Sequence, residues 1–200
     1  TVFPGSVSTG GVRQGGGPAR LFPADPQALR ALAEVDHVSE GMQSRQQVIY
    51  GNQNWQTNIV GVNVDYTFIK SWPMKYGAFF TDQDVTVAAK VCTLGINVAT
   101  NLFGEDVDPT GVEIRVRNQL FKVLGVMAPK GASSSGQNQD DQILAPYTTV
   151  MKKLQGTDFL NCVLVSARSA AHIRRTSEAI AAAIRVEHKI EPGMDDDLRV

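Results

Sequence analysis

The chain reads as helix and strand at both ends and as strand after strand between them, and this ordering constrains its fold more than any single motif. From Val38 to about Leu94 the texture is strand-like. Val48-Ile49-Tyr50 and Trp55 through Val64 flank Gly51-Asn52-Gln53-Asn54, a hairpin turn signal. Phe68, Ile69 and Trp72 follow, then Gly77 and Phe79-Phe80. The run from Val85-Thr86-Val87 to Val91-Cys92-Thr93-Leu94 reads as a buried strand. Val112-Glu113-Ile114-Arg115-Val116-Arg117 alternates apolar and charged residues, which gives a strand one wet face. Asn118-Gln119 turns that strand, and Phe121 through Val126 returns.

Helical signals punctuate the rest. Pro23-Ala24-Asp25-Pro26 announces a helix toward Asp36, with Asp25 as N-cap and Pro26 at the first helical position. Ile96–Phe103 forms another, closed by Gly104. Pro146 opens a helix to Leu154 that Gly156 stops, and Phe159 to Val165 is a strand. Ser169 caps the longest helix, with Ile173, Ile180, Ala183 and Ile184 on one side, before Pro192-Gly193 and a final strand at Leu198. The fold class is therefore α+β: a split α+β unit formed by the two ends, with a mostly-β unit inserted between them.

Composition narrows the function. In 200 residues, 19 basic side chains against 20 acidic ones leave no basic excess or stripe, so the chain does not read as a nucleic-acid binder. No apolar stretch approaches the roughly 20 residues that a membrane-spanning helix needs. No leader is visible, and Thr1-Val2-Phe3 and Leu198-Arg199-Val200 read as strand fragments, so the expectation is a piece of a longer protein. Residues 5–20 are glycine-rich and 129–141 are rich in serine, glycine and glutamine, and both read as flexible loops.

Candidate chemistry is sparse. His37, His172 and His188 have no metal-ligand spacing and read as solvated. Glu105-Asp106-Val107-Asp108-Pro109-Thr110-Gly111 resembles a calcium loop in part, but Arg117 stands where a bidentate glutamate is required. A turn is the better reading. Gly131-Ala132-Ser133-Ser134-Ser135-Gly136 lacks the spacing of a nucleophile elbow. No P-loop or dinucleotide cradle is present. Cys92 and Cys162 lie in apolar strand contexts, which favours two buried thiols without excluding a disulfide. Trp55, Trp72, Tyr76, Phe79 and Phe80 read as sheet core more readily than as a ligand cage.

Several segments, in order, carry a resemblance: Ile59-Val60-Gly61-Val62, Trp72-Pro73-Met74-Lys75-Tyr76-Gly77-Ala78-Phe79-Phe80-Thr81, Asn101-Leu102-Phe103-Gly104, Pro109-Thr110-Gly111-Val112-Glu113-Ile114, Phe121 through Val126, and Ala145-Pro146-Tyr147-Thr148-Thr149-Val150-Met151. Together they resemble the periplasmic core domain of MacB-type ABC transporter permeases. The resemblance implies a Porter-like α+β subdomain at about 1–45 and 142–200, and an inserted Sabre-like subdomain at 46–141. It implies an extracytoplasmic domain on the periplasmic face of the bacterial inner membrane, part of an integral membrane protein.

Such a domain relays ATP-driven movement and has no catalytic site or cofactor of its own. ATP and magnesium serve a nucleotide-binding domain elsewhere in the transporter. The implied partners are a periplasmic adaptor (membrane fusion) protein, an outer-membrane exit duct and a second permease copy, with macrolides or peptides as cargo. The isolated domain is expected to be monomeric. Lys130, Ser133, Ser134, Ser135 and Gln137 are the candidate partner or cargo contacts, because functional residues often sit on loops carried by a rigid scaffold. Two alternatives remain: a lipoprotein-releasing LolC/LolE-like domain that binds lipoprotein or chaperone in an apolar groove, and a hydrolase with His37 or another base beside Ser133–Ser135.

Overall fold

A computed structural model describes residues 1–4, 20–133, 136, 138–169, 171, 173–190 and 198–199. In chain order the elements are β1 (Phe3–Pro4), α1 (Ala24–Arg30), β2 (Val35–Tyr50), β3 (Gln53–Val62), α2 (Tyr66–Lys70), β4 (Met74–Gly77), α3 (Asp82–Thr86), β5 (Val91–Leu94) and α4 (Ile96–Phe103). Then come β6 (Glu113–Val116), β7 (Gln119–Met127), β8 (Gln142–Pro146), α5 (Tyr147–Thr149), a π-helical segment (Val150–Gln155), β9 (Cys162–Ala167), α6 (Ile173–Glu187) and β10 (Leu198–Arg199). The fold is α+β, as the sequence predicts. The glycine-rich stretch lies outside the described residues apart from Arg20, whose guanidinium stands 4.8 Å from the centre of the Phe159 ring.

The chain divides into two compact units, 1–41 with 158–200, and 42–157. These bounds differ from the expected 1–45, 142–200 and 46–141. Residues 142–157 belong with the insertion because β8 pairs parallel with β3 and antiparallel with β5. The sequence could not show this, since parallel partners lie far apart along the chain.

In the split unit, Val35–Gly41 of β2 pairs antiparallel with β9, and β1 pairs with β10. Helices α1 and α6 pack on each other, and Leu29, Val38, Val163, Ile180 and Ile184 are all buried. Helix α1 starts earlier than expected, with Pro23 as N-cap, so Asp25 lies in the first turn. Pro26 is tolerated there because a first-turn N–H has no helical partner to lose. The Asp25 carboxylate accepts the Phe22 N–H at 2.7 Å and lies 3.2 Å from His188 Nε2. His188 is thus a packed partner of a buried acid, not a solvated side chain. Ile173, expected on the inner side of α6, is exposed, and Thr176 takes the inner position.

In the inserted unit, Met42–Tyr50 of β2 forms a hairpin with β3 through Gly51 at φ +57°. Pairing then runs β3 to β8, β8 to β5, β5 to β7, β7 to β6, and β6 back to β2 at Val48↔Val116 and Ile49↔Arg115. The strands therefore close into a ring, which removes most of the free edge that an open sheet exposes. Phe121, Ile114, Ile59, Ile143, Leu94 and Leu144 are fully buried in this unit. Each such side chain contributes about 1.5–3 kcal/mol of transfer free energy.

Several local expectations change: Pro146 ends β8, and the helix expected from it to Leu154 is α5 followed by the π-helical segment. Val85-Thr86 sits in α3 and not in a strand, because Thr81 and Asp84 form a reciprocal capping box. Phe68 and Ile69 belong to α2. The β6–β7 turn uses Arg117-Asn118, with Arg117 at φ +54° and its guanidinium donating to the Leu154 carbonyl at 2.6 Å.

A β-carbon at Gly61 would meet Met42 Cβ, the Tyr147 Cα and Val150 Cβ, each at 2.9 Å. Strand β3 can lie this close to α5 only without a side chain. Gly61→Ala is expected to destabilise the chain by about 1–3 kcal/mol, read as a lower urea midpoint at an unchanged slope.

Candidate functional site

Helix α2 is only five residues long and ends because Ser71 turns left-handed at φ +48°. The Ser71 and Trp72 N–H groups donate to the carbonyls of Phe68 and Thr67, finishing the last turn. Trp72 is then driven inward, 4% exposed, and its indole N–H donates to the Ala128 carbonyl at 2.6 Å. The Ala128 N–H returns a bond to the Pro73 carbonyl at 2.9 Å. These bonds fix the exit of β7 beside the end of α2, two residues before Lys130.

Lys130 follows from that placement. Its ammonium stands 5.3 Å from the centre of the Trp72 ring and donates to the Lys70 carbonyl. Among the described residues no carboxylate lies within ion-pair distance of the Lys70 or Lys130 ammonium. Partial burial, aided by the nearby positive charge of Lys70 and opposed by Asp140, holds the Lys130 pKa below its ordinary value.

Asp140 is buried and gathers the two ends of the loop. Its carboxylate accepts the N–H groups of Lys130 at 2.8 Å and Gly131 at 2.9 Å, while its own N–H donates to Asn138 Oδ1. The Gln139 N–H reaches the Gly131 carbonyl, and Ala132 bridges Asn138. Asp141 accepts the Trp55 indole N–H and the Thr57 hydroxyl, so the loop leaves on a second fixed point. The described part of 129–141 is therefore anchored at its base. Ser133 lies in it, half-buried, while Ser134, Ser135 and Gln137 fall outside the described residues.

Beside Lys130 opens a cleft of about 480 Å³, lined mainly by Phe68, Trp72, Pro73, Met74 and Phe79. Phe68 is 65% exposed, too much for a core residue. Phe79 stacks on the buried Phe80 with ring centres 4.1 Å apart. The aromatic segment is thus divided: Trp72 and Phe80 are buried, Trp72 still forming part of the cleft wall, whereas Phe68 is exposed and Phe79 half-buried at the cleft. The division follows from the left-handed turn at Ser71, which ends α2 and separates the two aromatics.

The other candidates resolve into structure. Asp106 pairs with Lys75 at 3.0 Å, and Asp108 accepts the Thr110 N–H and hydroxyl, which lowers the Asp108 pKa. His37 lies 3.7 Å from Asp36 in the split unit, and Ser133 belongs to the inserted one. His172 lies outside the described residues. Among the described residues no three His, Cys, Asp or Glu side chains are grouped to hold a metal. Cys92 and Cys162 are both buried and form no disulfide.

The model of the MacB-like periplasmic core domain matches residues 1–183. The chain belongs to the MacB-like periplasmic core domain family. It is 38% identical over 164 residues to the macrolide export ATP-binding/permease protein MacB of Syntrophobacter fumaroxidans, covering 80% of this chain and 23% of that protein. With MacB of Chlorobaculum tepidum it is 34% identical over 202 residues, covering 100% of this chain and 31% of the relative. The chain thus spans about a quarter to a third of these relatives.

Solved structures share the fold. The extracellular domain of the noncanonic ABC-type transporter YknZ from Gram-positive bacteria superposes with a TM-score of 0.80 at 21% identity, covering 100% of this chain and 97% of that one. The periplasmic region of MacB from Actinobacillus actinomycetemcomitans gives 0.79 at 19% identity, covering 99% and 85%. Among the described residues of this MacB-like domain, no helix is long and apolar enough to cross a membrane.

Lys130 gives a pH prediction. Its folded pKa lies below 10.5, so between those two values the unfolded chain binds more protons than the folded one. Folded stability contributed by this residue therefore rises as pH climbs through that window. Urea midpoints of the wild-type chain should gain on those of Lys130→Gln from neutral pH to above 10.5. A constant difference across the range would contradict the assignment.

Proposed function

We propose that this chain is the extracytoplasmic part of a MacB-type ABC exporter and relays ATP-driven movement to partners outside the inner membrane. The family match over residues 1–183 carries this reading. The relatives it resembles are macrolide export ATP-binding/permease proteins, and the share of their length beyond this domain leaves room for ATP-binding and membrane segments. In this reading the domain does no chemistry and holds no cofactor, and ATP and magnesium act in a separate nucleotide-binding domain. A second permease copy, an adaptor and an exit duct are its partners, and macrolides or peptides are the cargo.

The fold supports a relay. A transmitting part must not absorb displacement internally, and the closed ring of strands and the α1–α6 pair each have a core of their own. The loop that carries Lys130, Ser133, Ser134, Ser135 and Gln137 would meet partner or cargo. The lipoprotein-releasing alternative is not favoured, since the relatives are MacB proteins.

The test is a chimera of Chlorobaculum tepidum MacB in which this chain replaces the matched segment. It should restore macrolide resistance to an efflux-deficient strain that also carries the cognate adaptor and duct. Deleting 131–139, with a glycine joining Lys130 to Asp140, should abolish resistance while leaving ATP hydrolysis measurable and the thermal midpoint of the isolated domain nearly unchanged. Resistance that persists after the deletion would remove the loop from the relay.

A further inference from the structure

The cleft beside Lys130 brings together an apolar lining and a nearby cation. Its floor is aromatic and aliphatic, with Phe68 65% exposed. Beside it the Lys130 ammonium stands against the Trp72 ring that forms part of the lining, with the Lys70 charge nearby, and among the described residues no carboxylate lies within ion-pair distance of either. The nearest acid on the loop, Asp140, spends both oxygens on backbone N–H groups. The Lys130 ammonium has three hydrogens, of which one goes to the Lys70 carbonyl and the Trp72 face engages the side of the group. Donor capacity remains on the ammonium.

We propose that this cleft docks a partner protein through a segment that inserts an apolar side chain against Phe68 and Phe79 and sets a carboxylate beside Lys70 and Lys130. Charge complementarity selects the acid. The shape selects a macromolecule. Pockets for small molecules bury 70–90% of their ligand as a rule, and a cleft whose wall residue is itself two-thirds open does not. Exposed aromatics ringed by polar groups are instead the usual anchors of protein–protein contacts. The inference rests on the function above only in taking the occupant to be a protein.

The base of the loop is hydrogen-bonded without any partner present. Asp140 fixes Lys130 and Gly131, so the cation is held in place before a partner arrives and less ordering is needed on binding.

The experiment uses the 200-residue chain, labelled with nitrogen-15, and three probes. One is a synthetic peptide in which leucine and phenylalanine alternate with glutamate. The second replaces every glutamate with glutamine. The third is vesicles of phosphatidylglycerol and phosphatidylcholine. The glutamate peptide should shift amide signals from Phe68 to Met74 and at Phe79, and the glutamine peptide should bind about five- to tenfold more weakly at the same residues. Phe68→Ser should weaken both peptides. Lys130→Gln, or Lys70→Gln where the loop is disturbed, should weaken only the glutamate peptide, to the level of the glutamine one.

Equal affinity for the two peptides, shifts centred elsewhere, no binding of either, or binding of vesicles alone would each overturn the proposal. The outcome is separable from transport. Loss of export by the chimera with peptide binding intact would count against the relay and leave the docking site standing.

Discussion

Strand β3 must satisfy hydrogen bonds on both of its edges, antiparallel to β2 and parallel to β8, and the inserted unit is organised by that demand. The hairpin with β2 is local and needs only the two-residue turn at Gly51. The pairing with β8 closes a loop of some eighty residues, within which α2, α3, α4 and four more strands must fit. Once β8 is in place, β5 and then β7 and β6 complete the ring. Gly61 lets α5 and the π-helical segment lie against β3 at backbone distance. The same long closure places Asp140 and Asp141 just before β8, where they secure the loop that carries Lys130.

Much of the fold was legible because its signals are local. Helix α4 with Gly104, the β6–β7 alternation, β8 and the left-handed stop at Gly156 all depend on residues within a few positions of one another. Failures occurred where distant partners decide. Val85 has strand character, yet the Thr81–Asp84 box gives a helix a start that the β-branched residues cannot override. The division at Gly41 and Thr157 depends on a parallel pairing with no sequence periodicity of its own. His188 looked solvated because its partner Asp25 lies 163 residues away.

The candidate site was half visible. Lys130 and Ser133 stand out in the sequence as members of a polar loop. Their aromatic counterpart reads as core, since composition alone does not distinguish Trp72, which is buried, from Phe68, which is not. What separates them is the left-handed turn at Ser71, a conformation that few non-glycine residues adopt and that sequence did not announce. The turn swings one aromatic inward to bond Ala128 and leaves the other facing water.

The buried thiol of Cys92 has a further consequence. Complete desolvation raises its pKa well above the ordinary cysteine value, so the thiolate that attacks disulfides and oxidants is nearly absent. Cysteine chemistry at this position is therefore suppressed by desolvation alone. An oxidising milieu, which would scramble an exposed lone sulfhydryl, leaves this one mute for as long as the strands around it hold.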